Sequence, residues 1–360
     1  MSLNQPSVAV VIIHWNKRLL LEQFLPSVLA STYENLQIIV ADNASTDDSV
    51  SFLQSNYPQV KVVQLSENFG YAGGYNEALK WVQADYYILL NNDVEVSPNW
   101  IEPVISWMES DPKIAAAQPK LLQYNNRNYF EYAGAAGGYI DHLGYIFCRG
   151  RLFEDMEIDK GQYDDNVPVF WASGACLFVR AKAFHEVGGF DEHFFAHMEE
   201  VDLCWRLQLA GYQNWYVGNS TVYHLGGSTL QQGNPKKTYL NFRNSLQMLL
   251  KNSATSTLFW LIPVRSTLDL LSSFYFIKNR NFKDSKAVHL AHSHFFFKWR
   301  KWWKKRKTVA PQKSVQNLYG VYPKSIVFAH FLGKIGQFSQ LPHVAEFIGL
   351  NQHKLTKKTE

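Results

Sequence analysis

The first 120 residues alternate between two hydrophobic periods, and this alternation constrains the fold more than any other feature. Apolar runs of strand length, VAVVIIHW, LQIIVAD, VKVVQL and YYILLNND, are separated by RLLLEQFLPSVLAS, DDSVSFLQSNY and GYNEALKWVQA, whose apolar residues recur at helical spacing. Strand, helix and strand in series predict a parallel sheet covered by helices on both faces. In such a sheet ligands bind beyond the carboxyl ends of the strands. The segments to read are therefore HWN at 14–16, DNASTDD at 42–48, ENFGYAGG at 67–74 and NND at 91–93.

Between 111 and 170 the period loosens, and stretches such as YAGAAGGYIDHLGY suit hairpins or a mobile loop. FWASGACLFVRAKAFHEVGGFDEHFFAHMEEVDLCWRLQLAGY then reads as a strand, a helix start, a glycine turn and a second helix with acid in its first turn. NWYVGNSTVYHLGG adds a strand ending at His224. With 46% hydrophobic residues in 360, there is apolar material for one large domain with an appendage, or for two domains. Cys148, Cys176 and Cys204 are far apart and form no CxxC pair, which argues against structural disulfides and zinc and for a reduced, cytosolic setting. MSLNQPSVAVVII lacks the basic start and small-residue cleavage site of an export signal.

The formal net charge of +4 conceals an asymmetry. Residues 1–250 hold 16 Lys/Arg against 27 Asp/Glu, and residues 251–360 hold 19 against 4. An acidic body with a basic tail suggests a catalytic domain held near a polyanion, either nucleic acid or an anionic membrane face. TLFWLIPVRSTLDLLSSFYFI is apolar enough to suggest a membrane helix, but Arg265 and Asp269 lie inside it and Pro263 breaks its start. The expectation is a helix lying in the interface rather than a span. KWRKWWKKRK at 298–307 puts seven cations and three tryptophans into ten residues, a composition that binds headgroup phosphates at the water boundary. The tryptophans and the apolar helices before them favour membrane, so no nucleic acid partner is expected.

Asp42 could accept a hydrogen bond from a base or a sugar hydroxyl, while Asn43, Ser45 and Thr46 could cap the next helix; capping alone would also explain Asp42. Gly70, Gly73 and Gly74 allow close backbone approach to a phosphate at a helix entrance, or make a tight turn. Asp93 reads either as a ligand for Mg²⁺ or Mn²⁺, if a diphosphate supplies most other oxygens, or as a turn former before Ser97 and Pro98. Asn91 can contact a ribose. Glu199, Glu200 and Asp202 crowd the start of a helix, where acids suit the helix dipole; three of them exceed what a cap requires. A carboxylate with a raised pKa among like charges is what a general base needs. His193 and His197 have i, i+4 spacing, but HExxH is absent and a polar loop explains them better than zinc.

Together, VVIIHWN, IIVADNASTDDS, ENFGYAGGYNEAL, LLNNDV, SGACLFVRAKAFHEVGGFDEHFF, MEEVDLCWRL and VYHLGGS resemble the glycosyltransferase family 2 enzymes over about residues 7–250, in the rhamnosyltransferase-like branch that builds bacterial surface polysaccharides. The resemblance implies a GT-A fold, an α/β domain with a mostly parallel sheet flanked by helices, and inverting transfer of a sugar from a nucleotide diphosphate sugar. By the same resemblance Asp93 is the metal-binding aspartate and His224 completes the site for Mg²⁺ or Mn²⁺. Asp42, with Asn43 beside it, recognises the base, Asn68 and Gly70 line the nucleotide, and Asn91 takes the first position of the metal motif. Glu200 stands where the family has a catalytic aspartate, with Glu199 and Asp202 as the other acids that could serve. Trp171, Ser173 and Gly174 are candidates for shaping the sugar and acceptor pocket.

This reading divides the chain into a catalytic domain, 1–250, and a helical, basic, membrane-associating region, 251–360. The expected partners are a nucleotide sugar, possessing rhamnose as the sugar that the resemblance favours, a glycan or lipid-linked acceptor, and an anionic membrane surface met through residues 258–307. The expected place is the cytoplasm, peripheral on the inner face of the bacterial membrane. The competing function is a non-catalytic sugar-nucleotide or glycan-binding protein on the same fold.

Overall fold

A computed structural model describes residues 5–226, 234–309 and 318–347. The alternating periods become β1 (Val8–His14), α1 (Arg18–Leu29), β2 (Leu36–Asp42), α2 (Ser49–Asn56), β3 (Lys61–Gln64), α3 (Gly70–Leu79) and β4 (Tyr86–Asn91). Strands β1 to β4 pair in parallel in the order β4-β1-β2-β3, and their residues point alternately into two apolar layers, one beneath α3 and the other beneath α1. The parallel register sets His14 opposite Asp42, and Ile13 opposite Asn91. Three of the polar strand ends therefore open at one level of the sheet.

The sheet then extends past β4 with mixed polarity. After β5 (Val94–Val96), α4 (Glu102–Glu109) and β6 (Ile114–Gln123), the chain forms a second, smaller sheet. Its strands are β7 (Gly138–Asp141), β8 (Ile146–Cys148), β9 (Arg151–Leu152) and β10 (Asp155–Met156), so the glycine-rich stretch is built as hairpins. The chain returns through β11 (Asn166–Val169), β12 (Cys176–Arg180), α5 (Ala181–Glu186), α6 (Glu199–Leu209) and β13 (Gln213–His224). β12 runs antiparallel between β4 and β6. β13 is parallel to β6, bulges between Val217 and Thr221, and then pairs antiparallel with β5, placing His224 opposite Val94.

Four helices follow: α7 (Pro235–Asn252), α8 (Thr255–Lys278), α9 (Phe282–Phe297) and α10 (Trp299–Val309). Contrary to the sequence expectation, Pro263 does not break the apolar helix. α8 begins two turns earlier and runs through the proline. No helix among the described residues is long and apolar enough to cross a membrane. Arg265 and Asp269, which count against a span, form a buried i, i+4 pair at 2.9 Å, and His292 on α9 meets the same carboxylate at 3.2 Å. They join α8 to α9, while large apolar side chains including Phe259, Phe274, Phe282 and Phe297 stay exposed. Finally β14 (Val321–Tyr322) adds to β7, and α11 (Ile326–Phe331) follows. Phe338 and Phe347 pack against Tyr139 beneath the small sheet, at ring separations of 5.0 and 5.5 Å.

Candidate active site

At the strand ends, backbone pairing places buried carboxylates with little help from other groups. Asp42 is 3% exposed; its Oδ2 accepts from Ser45 N at 3.1 Å, while Oδ1 is buried with no partner. A buried acceptor left unmet is unusual and suits an N–H supplied by a ligand. Asn43 does not cap α2, whose first turn is served by Asp47 bonding Ser49. Its amide instead spans to the next strand end, donating to Asn68 Oδ1 at 3.1 Å and Gly70 O at 2.9 Å and accepting from Phe69 N at 3.0 Å.

The glycine-rich helix entrance is a correction to the phosphate-cradle expectation. Gly70 N donates to Asn68 Oδ1, and Phe195 O accepts from Tyr71 N at 2.8 Å and Ala72 N at 3.3 Å, so these donors of α3 are already engaged. Gly70 has φ +73°, and a Cβ there would lie 2.6 Å from the Phe195 ring. Gly74 gives the same freedom of approach to Ile13 and Asn43. These glycines bring loops together, and Asn68 and Gly70 act in this turn.

Across the β4–β5 turn, the β13 register brings His224 Nε2 to 3.1 Å from Asp93 Oδ1. On the ring's other side Nδ1 lies 3.2 Å from Glu131 Oε1, an ion-pair contact without hydrogen-bond geometry. Burial opposes a charged ring here, but Asp93 and Glu131 outweigh it and hold the His224 pKa well above the ordinary range. Asn91 Nδ2 lies 3.4 Å from His224 Nε2, and Asn92 bonds His14 Nδ1 at 2.9 Å. Two adjoining donors, one carboxylate and one imidazole, fit a hard divalent ion that draws its remaining oxygens from a diphosphate and water. No group of three or more metal-ligating residues occurs among the described residues. Glu131, in the loop after β6, carries no sequence signal; only the fold sets it behind His224.

A short path leads from the strand end at Asn91 to the acids. Asn91 N donates to Ala175 O at 3.0 Å, and the preceding Gly174 presents its O to the Tyr71 hydroxyl at 2.6 Å. A Cβ on Gly174 would meet Tyr71 and, at 3.7 Å, Glu200 Cβ. Ser173 fixes this turn, accepting at Oγ from Ala175 N and donating to Ala133 O. Trp171 does not shape the pocket as expected: it is buried, donates to Tyr139 O at 3.1 Å and lies over Gly138 between the sheets.

Glu199 and Glu200 open α6, each with a buried Oε2 that has no hydrogen-bond partner. Burial raises the Glu200 pKa to about 7. Burial and the Glu200 charge push Glu199 well above its ordinary value. Asp202, the third acid, is placed elsewhere in function. Its carboxylate accepts from Arg206 at 2.8 Å, Lys251 at 2.6 Å and Asn252 at 2.8 Å, so both oxygens are taken by structural partners. It anchors α6 to α7.

The loop before α6 is strained. Phe195, His197 and Met198 have φ of 64°, 70° and 73°, a left-handed conformation that costs about 1 kcal/mol or more per residue outside glycine. α7 holds it from outside. The Asn244 amide, fully buried, donates to the carbonyls of Phe194, Ala196 and His197 at 3.0, 2.9 and 2.7 Å, while Arg243 reaches His193 O and Phe194 O. No sequence signal marked either residue, because their partners are backbone atoms some fifty positions away.

A family model described as glycosyl transferase family 2 matches residues 9–188, half of the chain. The chain belongs to glycosyl transferase family 2. This transferase is 31% identical over 220 residues to an N-acetylglucosaminyl-diphospho-decaprenol L-rhamnosyltransferase of Mycobacterium tuberculosis (strain CDC 1551 / Oshkosh), covering 57% of this chain and 71% of the relative. It is 27% identical over 192 residues to the rhamnosyltransferase WbbL of Escherichia coli (strain K12), covering 51% and 70%. A crystal structure of GalNAc-T7 with UDP, GalNAc and Mn²⁺ shares the GT-A fold at a TM-score of 0.54 and 17% identity, over 69% of this chain and 48% of that one. The expected fold, and the expected membership of a glycosyltransferase family, are thus both met.

Proposed function

We propose that this transferase moves a sugar, rhamnose in the first instance, from a nucleotide diphosphate sugar to a lipid-linked glycan in cell-surface polysaccharide synthesis, with inversion at the anomeric carbon. The observation that carries the proposal is the pair of carboxylates at the start of α6, each with a buried and unpartnered Oε2, joined through Gly174 and Ala175 to the strand end that bears Asn91. A module built only to bind sugars gains nothing from a carboxyl group held near neutral pKa with an unengaged oxygen; a general base requires one.

In this reading Asp42 accepts from the base of the donor through its unpartnered Oδ1. Asp93 and His224 would hold Mg²⁺ or Mn²⁺, which when bound neutralises charge on the leaving diphosphate. Glu200 takes the proton from the acceptor hydroxyl as that oxygen attacks the anomeric carbon from the face opposite the leaving group. Tyr71 is kept neutral by burial, with Tyr75, Glu199 and Glu200 adding to the effect, and it fixes Gly174 beside the base. Burial and the charge of Glu200 favour a proton on the neighbouring Glu199.

The names of the two relatives support a rhamnosyl donor, and the first supports a lipid diphosphate acceptor. A peripheral position on the cytoplasmic face of the membrane fits the exposed apolar residues of α8 and α9 beside Lys278, Arg280, Lys283 and Lys286. Five of the seven cations at 298–307 face outward; Lys305 and Arg306 turn inward, to Asp191 and to the carbonyls of Leu250 and Lys251. Each outward cation near an anionic leaflet contributes about 1 kcal/mol. Residues 1–250 would then be the catalytic domain and 251–360 the membrane-facing region.

The test is release of nucleoside diphosphate from a panel of nucleotide sugars with Mn²⁺, in the presence of lipid-linked acceptor. Turnover is expected with a dTDP-rhamnose-type donor and is expected to be lost in both Asp93→Ala and Glu200→Gln. Full activity in both variants would sink the site assignment.

A further inference from the structure

Two cations gather beside the active site, with the charge of Glu131 acting on both and that of Glu154 on Lys237. Arg151 on β9 is buried, with its guanidinium carbon 4.0 Å from the centre of the Tyr132 ring, and the Lys237 ammonium lies 5.4 Å from the same ring. Arg151 donates to Phe153 O at 2.8 Å and lies 3.8 Å from Cys148 Sγ, but its buried Nε has no partner. Burial and the Arg151 charge lower the Lys237 pKa, with Glu131 and Glu154 opposing them. Glu131 is itself engaged by His224 and Ala133 N, and Glu154 is exposed. His197 joins the group: its Nε2 is buried and unpartnered, and burial together with Lys237 keeps the ring neutral. Like charges gathered with unmet donors are costly unless an anion completes them.

The position of the group selects the anion. Tyr132 follows Glu131, the partner of His224, and His197 lies three residues before Glu200. Cys148, which touches Arg151, also feels the Glu200 charge. In a direct displacement the leaving diphosphate and the attacking hydroxyl occupy opposite sides of the anomeric carbon. Donors that border the base therefore serve the acceptor. Two residues beyond Lys237, the Tyr239 hydroxyl meets His294 Nδ1 on α9 at 2.7 Å, close in sequence to the exposed Phe296 and Phe297.

We propose that Arg151, Lys237 and His197 form a second phosphate site that binds the diphosphate of the lipid-linked acceptor, distinct from the donor diphosphate at Asp93 and His224. The proposal rests on the acceptor class given under the proposed function. A charge-assisted bond to phosphate lost from such a site weakens binding by about tenfold or more.

The experiment titrates the full-length protein calorimetrically with inorganic pyrophosphate in EDTA, which removes the metal contribution, using wild type, Lys237→Ala and Lys237→Arg. The alanine variant is expected to bind pyrophosphate about tenfold more weakly or worse, and the arginine variant to recover most of the loss. In kinetics, Lys237→Ala should raise KM for a diphosphate-linked acceptor, and should shrink the preference of the enzyme for it over an alkyl glycoside of the same sugar. Equal pyrophosphate binding by wild type and Lys237→Ala overturns the proposal. A rise in donor KM in place of acceptor KM also overturns it, since the cations would then hold the donor. If no nucleotide sugar is turned over at all, the catalytic reading fails, while the titration still decides the anion site.

Discussion

The strand ends and the entrance of α6 both present buried carboxylates, but they support them in opposite ways. Asp42 and Asp93 sit at or just beyond strands whose register is fixed by backbone pairing on both sides. Glu199 and Glu200 follow a loop with three left-handed residues, held by side chains of another element, α7. The first arrangement positions a group through many weak, redundant bonds. The second concentrates positioning in a few side chains, which makes the base adjustable and vulnerable.

Glu200→Gln should give the largest effect, a fall in kcat of about 10² to 10⁴ with donor affinity retained, read by steady-state kinetics and nucleotide titration. The same residue sets a pH dependence. With its pKa raised to about 7 by burial, the deprotonated, active form is gained as pH rises through 7, so kcat/KM should climb over that range. Stability runs the other way. The folded protein holds the Glu200 proton more tightly than the unfolded chain does, so this stabilising contribution is full below about pH 4.5 and is lost as pH rises through 7. Glutamine cannot ionise, so the variant should melt no lower than wild type at pH 8. A clear drop in melting temperature there would show Glu200 to be structural.

Asp202→Asn should reverse the pattern. Weakening a buried carboxylate that serves Lys251 and Arg206 should cost stability of about 3 kcal/mol, measured by denaturant unfolding, with a smaller change in kcat per folded molecule. If kcat instead falls as far as in Glu200→Gln, Asp202 belongs to the chemistry and the contrast between the acids breaks. Asn244→Ala removes a side-chain donor from three carbonyls of the strained loop, of which Phe194 O keeps Arg243, and should lower kcat about tenfold while donor KM moves little. The informative readout is the pH profile, whose midpoint should move because the environment of Glu200 relaxes; a loss of stability without that movement would make Asn244 a structural clamp only. The smallest effect is expected at the end of β2, where Asp42→Asn should raise donor KM by up to about tenfold and leave the pH midpoint in place.

Legibility in the sequence follows the same division. The alternation of periods foretold the parallel β1–β4 layer, and reading the residues after each strand found Asp42, Asn91 and Asp93. The glycines at 70, 73 and 74 suggested a phosphate cradle, because a tight turn and an anion site share one composition. Only the carbonyl of Phe195, more than a hundred residues on, distinguishes them. The expected patch of seven cations was uniform in sequence, yet Lys305 and Arg306 are turned inward by partners at Asp191 and at the end of α7.

The sequence by itself determined the class of fold, the strand-end residues and the acidic cluster, because periodicity and turn chemistry are local properties of a chain. Tertiary structure alone decided which acid is engaged and which has an unmet oxygen, and it alone brought Glu131 behind His224 and Asn244 onto the loop. The reason is physical. A carboxylate is tuned by burial and by the charges packed against it, and those come from elements distant in sequence that no local pattern brings together.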